Sequence, residues 1–278
     1  MRNILVTGGT GFFGRGFVRK ALELGAERVC IFSRGEYAQA QMRQEFADDR
    51  LRFFVGDVRD RDRLTRAMES VDTVIHAAAL KRVEVGQYDA SEMVKTNVWG
   101  AMNIIEAATD ARVRRVVALS SDKAFAATNT YGASKFMAEK LFLAANNARG
   151  LNGPIYAVTR YGNVSGSTGS VIPTWRREKE AGRSVRLTNP EATRFWMTLD
   201  EAVDLVIRTA QTMRGGELAI PRLPAYRLGD LAEAMDVGYF ITGLGDGEKL
   251  HESMTEGESS DLARRMSVRE LEEALQHV

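Results

Sequence analysis

One phenol and two amines are spaced for a single pocket in this chain. Tyr131 and Lys135 lie four residues apart in Ser120 to Lys135, SSDKAFAATNTYGASK. On a helix that spacing puts both side chains on one face. A cation beside a phenol favours phenolate and draws its pKa from about 10 towards neutrality, where it can act as a base. Upstream, the apolar run Val116 to Leu119 leads to Ser121, Asp122 and Lys123. A hydroxyl, a carboxyl and a second amine therefore approach the same pocket. Oxidation of a carbinol needs only the hydroxyl, the phenol and a lysine of the Lys135 kind. The added Asp122–Lys123 pair points to a further step, the elimination of water.

The surrounding elements must hold these groups. Apolar strand-like runs occur at Asn3 to Thr7, Arg28 to Phe32, Leu51 to Val55, Asp72 to His76 and Arg114 to Leu119. Between them lie helical patterns, notably Phe12 to Leu24, Asp60 to Ser70 and Tyr88 to Thr109. This alternation predicts an α/β chain of the Rossmann type, a doubly wound parallel sheet with helices on both faces. Gly8, Gly11 and Gly14 follow the first strand directly, with Thr10, Phe12 and Phe13 among them. Glycines there let backbone N–H groups meet a pyrophosphate at a helix N-terminus. After the second strand stand Ser33 and Arg34 rather than an acid, which favours a 2′-phosphate and hence NADP over NAD. Asp57, before Val58, is placed to accept from an adenine amine. The small residues Ala77, Ala78 and Ala79 after His76 let a cofactor lie close to the backbone.

Bulk properties narrow the function. The 278 residues carry 38 Lys plus Arg against 37 Asp plus Glu, a net charge of +1. Neither nucleic acid nor a membrane is implied as partner. The one cysteine, Cys30, sits in an apolar run and reads as a buried strand residue. No intrachain disulfide is available, and neither a signal peptide nor an apolar run of about 18 residues is present. The expectation is a soluble, cytoplasmic protein. The histidines are His76, His251 and His277, without the spacing of a zinc site, so no metal is expected.

Several motifs together resemble the extended short-chain dehydrogenase/reductase family. They are the N-terminal glycines, Asp57-Val58, His76-Ala77-Ala78, Asn97 and Tyr131-x-x-x-Lys135. Ser120 to Lys123, Thr159 to Val164, Thr193-Arg194-Phe195-Trp196 and Gly247-Glu248-Lys249-Leu250-His251-Glu252 narrow the resemblance. They look like inverting UDP-N-acetylglucosamine 4,6-dehydratases of the polysaccharide-biosynthesis type. The resemblance implies that Tyr131 takes the C4 hydroxyl proton while hydride passes to NADP⁺, with Ser121 on the C4 oxygen and Lys135 on the nicotinamide ribose. Lys123, where retaining relatives carry glutamate, becomes the C5 base if burial or a neighbouring cation makes it partly neutral. Asp122, kept protonated, gives its proton to the departing C6 hydroxyl. Hydride returns to C6, so NADP is regenerated each turnover and stays tightly bound.

The cofactor set implied also includes Lys81, Asn97 and Tyr161, although Asn97 reads equally as a structural hydrogen-bonding residue. The substrate set is Lys81, Asn163, Val171, Arg194 and Glu248, with Arg160 and Lys249 also in range of a diphosphate or uracil. Residues 1–162 form the NADP-binding domain, to which 196–215 return, and 163–278 mainly form the substrate lobe. Helices are expected from Ser170 to about Glu180, from Leu199 to Met213 and from Val268 to Gln276. The family pattern has Arg-Pro where this chain has Gly245-Asp246, so the arginine that pairs with the diphosphate is absent. That leaves open a nucleotide other than UDP, or another means of neutralising the phosphates. Three functions rank in order: a nucleotide-sugar dehydratase; an epimerase or 4-ketoreductase on the same substrates; and a non-catalytic NADP-binding protein. Relatives suggest a homo-oligomer, a dimer or a hexamer.

Overall fold

The computed structural model describes residues 1–278. The first half runs β1 (Asn3–Thr7), α1 (Phe12–Glu23), β2 (Arg28–Ser33), α2 (Glu36–Phe46), β3 (Leu51–Val55), α3 (Arg61–Ala67) and β4 (Thr73–His76). Then come α4 (Val83–Tyr88), α5 (Ala90–Val94), α6 (Gly100–Asp110), β5 (Arg115–Leu119), α7 (Thr130–Ala148) and β6 (Ile155–Thr159). The second half continues with α8 (Val171–Glu180), β7 (Val185–Leu187), β8 (Thr193–Phe195), α9 (Leu199–Thr212) and β9 (Leu218–Ala219). It closes with β10 (Ala225–Arg227), α10 (Leu228–Ala234), β11 (Tyr239–Ile241), β12 (Ser253–Thr255), β13 (Glu258–Ser259) and α11 (Val268–Leu275). No helix is long and apolar enough to cross a membrane.

Seven strands form one parallel sheet in the order β3-β2-β1-β4-β5-β6-β9. The strands are apolar on both faces because both are covered. Phe17 and Val18 of α1 and Val203 and Val206 of α9 pack one face; Leu64, Ile104 and Phe142 pack the other. Chain order reverses between β1 and β4, which opens a crevice at their C-terminal ends. A smaller core of Trp175, Trp196, Tyr226, Leu231 and Leu271 holds the second lobe together.

Although α9 follows the start of the second lobe, it packs on α1, β5 and β6 of the main sheet. A capping box explains its start: Thr198 accepts from the Glu201 N–H, and the Glu201 carboxylate accepts from the Thr198 N–H. Val203, Val206 and Ile207 then bury one face, each worth about 1.5–3 kcal/mol when fully buried. The return to the sheet extends through β9 beside β6.

The single helix expected over Tyr88 to Thr109 is instead interrupted. α5 passes into a π-helical turn, Lys95–Trp99, before α6 begins. Apolar spacing carries no mark of the wider i→i+5 hydrogen bond, and such turns concentrate at functional sites.

Candidate active site

The first turn of α1 faces the crevice between β1 and β4. Its N-cap is Gly11, which offers no side-chain cap, so the first N–H groups are available to an anion. A Cβ on Gly14 would sit 2.6 Å from the Gly8 carbonyl oxygen, so only glycine lets the helix start this close to the loop. Thr7 Oγ1 accepts from the Ala78 N–H (3.2 Å) and lies 2.8 Å from His76 Nδ1. The ends of β1 and β4 are thereby tied together along one wall of the crevice. Burial, with Lys135 adding to it, lowers the His76 pKa to about 3, so the ring is neutral. Phe12 and Phe13 occupy the first turn of α1, and Thr10 lends its carbonyl to Arg15 Nε at 3.1 Å.

This geometry fits a dinucleotide. Ser33 ends β2 with its hydroxyl accepting from Gln39 Nε2 at 3.0 Å, and Arg34 beside it is exposed. Two residues of the expected cofactor set already hold partners within the chain. Asp57 accepts from Arg59 at one oxygen through the backbone N–H (3.0 Å) and at the other through Nη2 (2.7 Å). Burial raises the Asp57 pKa, but those bonds and the charges of Arg59 and Arg34 outweigh it and hold the carboxyl below its usual value. Asn97 has its amide engaged, accepting from Leu80 N–H (2.8 Å) and donating to Leu80 O (2.8 Å) and Ser134 Oγ (2.9 Å). The π-turn thus supplies a clamp for the loop holding Ala77, Ala78 and Ala79. Val58 is buried beneath that region against Gly100.

Tyr131 and Lys135 both lie on α7, whose N-cap Asn129 accepts from the Gly132 N–H at 2.9 Å. A side chain at Gly132 would collide with the Lys123 carbonyl, so this helix start rests directly on the turn Asp122–Ala124. Ser121 Oγ donates to Asp122 Oδ1 at 2.9 Å, and Lys123 Nζ lies 3.2 Å from the same oxygen. Asp122 is fully buried, and its Oδ2 has no partner.

The two lysines differ in proton affinity. Lys135 is held on the end of β5. Its Nζ donates to Leu119 O at 2.5 Å, and burial lowers its own pKa to about 8 against the opposing charge of Glu139. Burial raises the Tyr131 pKa; the forces pulling it down are the Lys123 charge and the Ser121 hydroxyl. Lys123 is not partly neutral. Burial alone would favour the amine, but Asp122 and Glu252 outweigh it and raise its pKa above the ordinary lysine value. Lys123 is an ammonium between two carboxylates, with Glu252 Oε1 at 3.2 Å. Glu252 was part of a recognisable motif but carried no assigned role. Its approach to Lys123 depends on a long-range contact that residue spacing does not reveal.

Of the residues expected to meet the substrate, Asn163 and Arg194 lie beside Lys123. Arg160 does not reach the crevice: it is buried, bound to Glu139 at 2.9 and 2.5 Å and to Met254 O at 2.5 Å. Asn163 Oδ1 accepts from Lys123 Nζ at 3.4 Å. Arg194 is nearly buried and pairs with Glu248 Oε1 at 2.9 Å. Lys249 Nζ donates to Phe125 O at 2.6 Å, and Lys81 Nζ to Thr168 O at 2.8 Å. Burial, with Arg82 beside it, lowers the Lys81 pKa. Val171 opens α8, while Tyr161 is buried at the end of β6, its hydroxyl pushed to high pKa by burial and by Tyr131. Gly245 and Asp246 are exposed, and the Asp246 carbonyl accepts from Gln87 Nε2 at 2.7 Å.

Sheet order, glycine loop and tyrosine–lysine helix together define a nucleotide-binding α/β architecture of the short-chain dehydrogenase/reductase kind. Residues 4–271 match the family model described as polysaccharide biosynthesis protein, and the chain belongs to that family. It is 43% identical over 265 residues to an inverting UDP-N-acetylglucosamine 4,6-dehydratase of Campylobacter jejuni, spanning 94% of this chain and 79% of that protein. It is 38% identical over 274 residues to a UDP-glucose 4-epimerase of Rickettsia canadensis, spanning 95% and 80%. Among solved structures, Pen from Bacillus thuringiensis superposes with a TM-score of 0.96 at 32% identity, covering 100% of this chain and 98% of that one.

Proposed function

We propose that this protein is a nucleotide-sugar dehydratase that uses NADP and acts on UDP-N-acetylglucosamine with inversion at C5. The observation that carries the reading is the Asp122–Lys123 ion pair, 3.2 Å apart, whose lysine charge acts on Tyr131. Oxidation and reduction at C4 alone do not call for it. Identity to the Campylobacter dehydratase supports the substrate class. Arg34 with Ser33, and no acid at the end of β2, support NADP. The exposed apolar residues Trp99, Met102, Phe136 and Met137 on neighbouring helical segments support a homo-oligomer.

When bound, NADP would supply the acceptor for hydride from C4 and the donor of hydride to C6. The chain's residues manage the protons. Tyr131 accepts the C4 hydroxyl proton, with Ser121 and the Lys123 charge favouring its phenolate. Lys123 then passes one proton across the 3.2 Å gap to Asp122 Oδ1. That single transfer creates both an amine to take the C5 proton and a carboxylic acid to protonate the leaving C6 hydroxyl. The C5 proton restores the ammonium, and water carries off the proton Asp122 received. As hydride reaches C6, C5 takes a proton on its opposite face, and Tyr131 releases to solvent the proton it took from the C4 hydroxyl, so the net change is loss of one water. Lys135, anchored on Leu119 O, is assigned to the ribose. Arg194 and Asn163 are assigned to the nucleotide, Arg194 serving where the family's Arg-Pro is replaced by Gly245-Asp246.

The test is incubation with UDP-N-acetylglucosamine and a catalytic amount of NADP, followed by mass analysis. Loss of one water without net consumption of reduced cofactor supports the dehydratase. Unchanged mass with altered C4 configuration identifies an epimerase, the activity carried by the Rickettsia relative's name. Stoichiometric consumption of reduced cofactor identifies a ketoreductase.

A further inference from the structure

We propose that Glu252 is a positioning residue that holds Lys123 as an ammonium during oxidation at C4, so that one lysine serves both halves of the reaction. The inference rests on the dehydratase reading but concerns a residue to which that reading gives no role.

Glu252 is 3% exposed, and its Oε1 lies 3.2 Å from Lys123 Nζ. Its backbone is fixed on both sides. The Glu252 N–H donates to Ser260 Oγ at 3.0 Å, and the Glu252 carbonyl accepts from the Ser260 N–H at 2.7 Å. Ser260 Oγ in turn meets Thr193 Oγ1 at 2.6 Å, and that hydroxyl meets His251 Nδ1 at 2.8 Å. These bonds fix the Glu252 backbone, and burial keeps its carboxylate against the lysine. Its Oε2 has no hydrogen-bond partner, and Lys249 Nζ stands 3.8 Å from it.

The charged and titratable groups facing Lys123 come from several elements: Asp122 from the turn, Tyr131 from α7, Arg194 from β8 and Glu252 from the approach to β12. Asp122 alone would leave one carboxylate balancing one ammonium, with Arg194 opposing the charge. Glu252 adds a second anion that favours the ammonium further. The ammonium favours the Tyr131 phenolate. Once C4 is oxidised, the same ammonium has Asp122 beside it as proton acceptor. Nothing beyond proton transfer between existing groups is required.

Glu252→Gln removes the charge and keeps the shape. An opposite charge at this range shifts a lysine by about one unit or more, so three readouts should move. The Lys123 titration, followed by NMR of lysine labelled at Cε and assigned with Lys123→Arg, falls by at least about one pH unit. Exchange of the C5 proton for deuterium begins at correspondingly lower pH. The alkaline decline in C4 oxidation, read as transient reduced-cofactor absorbance, arrives at lower pH as well. Glu252→Asp, which keeps the charge but withdraws it by one methylene, should give the same displacements at smaller size and serves if the glutamine variant does not fold.

A folded variant whose lysine titration and pH limbs coincide with wild type overturns the inference. The titration requires no substrate, so it decides the role of Glu252 even if wild type proves to release no water. That outcome would instead defeat the dehydratase reading.

Discussion

Acidification should destabilise the protein through His76. Its ring is neutral in the fold because burial lowers its pKa from 6.5 to about 3. Between those values the unfolded chain binds a proton that the folded chain refuses, so stability is lost as pH falls below 6.5 towards 3. About pH 5 lies roughly one and a half units below the unfolded value, and each unit is worth about 1.4 kcal/mol, giving ~2 kcal/mol from this ring alone. That figure does not depend on whether the folded value is 3 or a unit higher. The assay is urea unfolding of wild type and His76→Asn near pH 7.5 and pH 5. Asparagine preserves a polar partner for Thr7 but cannot take up the proton. Wild type should lose about 2 kcal/mol more than the variant over that interval. Equal losses would refute the argument, whatever fixed cost the substitution carries at both pH values.

Arg160→Met leaves the buried Glu139 carboxylate without its partner, and should cost about 3–5 kcal/mol in urea unfolding. Arg34→Asp should weaken NADP by roughly 10- to 100-fold in a fluorescence titration, as expected for loss of a charge-assisted hydrogen bond, and narrow its margin over NAD. Lys123→Ala should abolish deuterium exchange at C5, read by mass spectrometry, while NADP stays bound; persistent exchange removes Lys123 from the role of base. Gly14→Ala should abolish dinucleotide binding in the same titration, because its methyl would meet the Gly8 and Gly9 carbonyls at the helix start.

Much of the architecture was legible because it is local. The strand runs, the glycines after β1 and the helix from Leu199 each declare themselves within a few residues. The Tyr131–Lys135 pair likewise needed only helical spacing. What escaped is non-local. Arg160 looked available for phosphate, but Glu139 on a different element claims it. Lys123 looked like a candidate for a neutral amine, yet Asp122 beside it and Glu252, which arrives from the far lobe, hold it charged. The π-turn at Lys95–Trp99 escaped because its hydrogen-bond pattern, not its apolar spacing, distinguishes it from α-helix. The short strands β7, β10 and β11 are each three residues long, too brief for alternation to register.

The contacts around Lys123 have a consequence for biosynthesis. Asp122 is built into the sheet-bearing half, whereas Asn163, Arg194 and Glu252 reach the lysine only when later segments dock. A nascent chain that has completed β1 to β6 carries the tyrosine–lysine helix and the glycine loop, but it lacks both α9 against the sheet and half of the groups around its second lysine. The charged surroundings of Lys123 are therefore complete only once the later segments have docked.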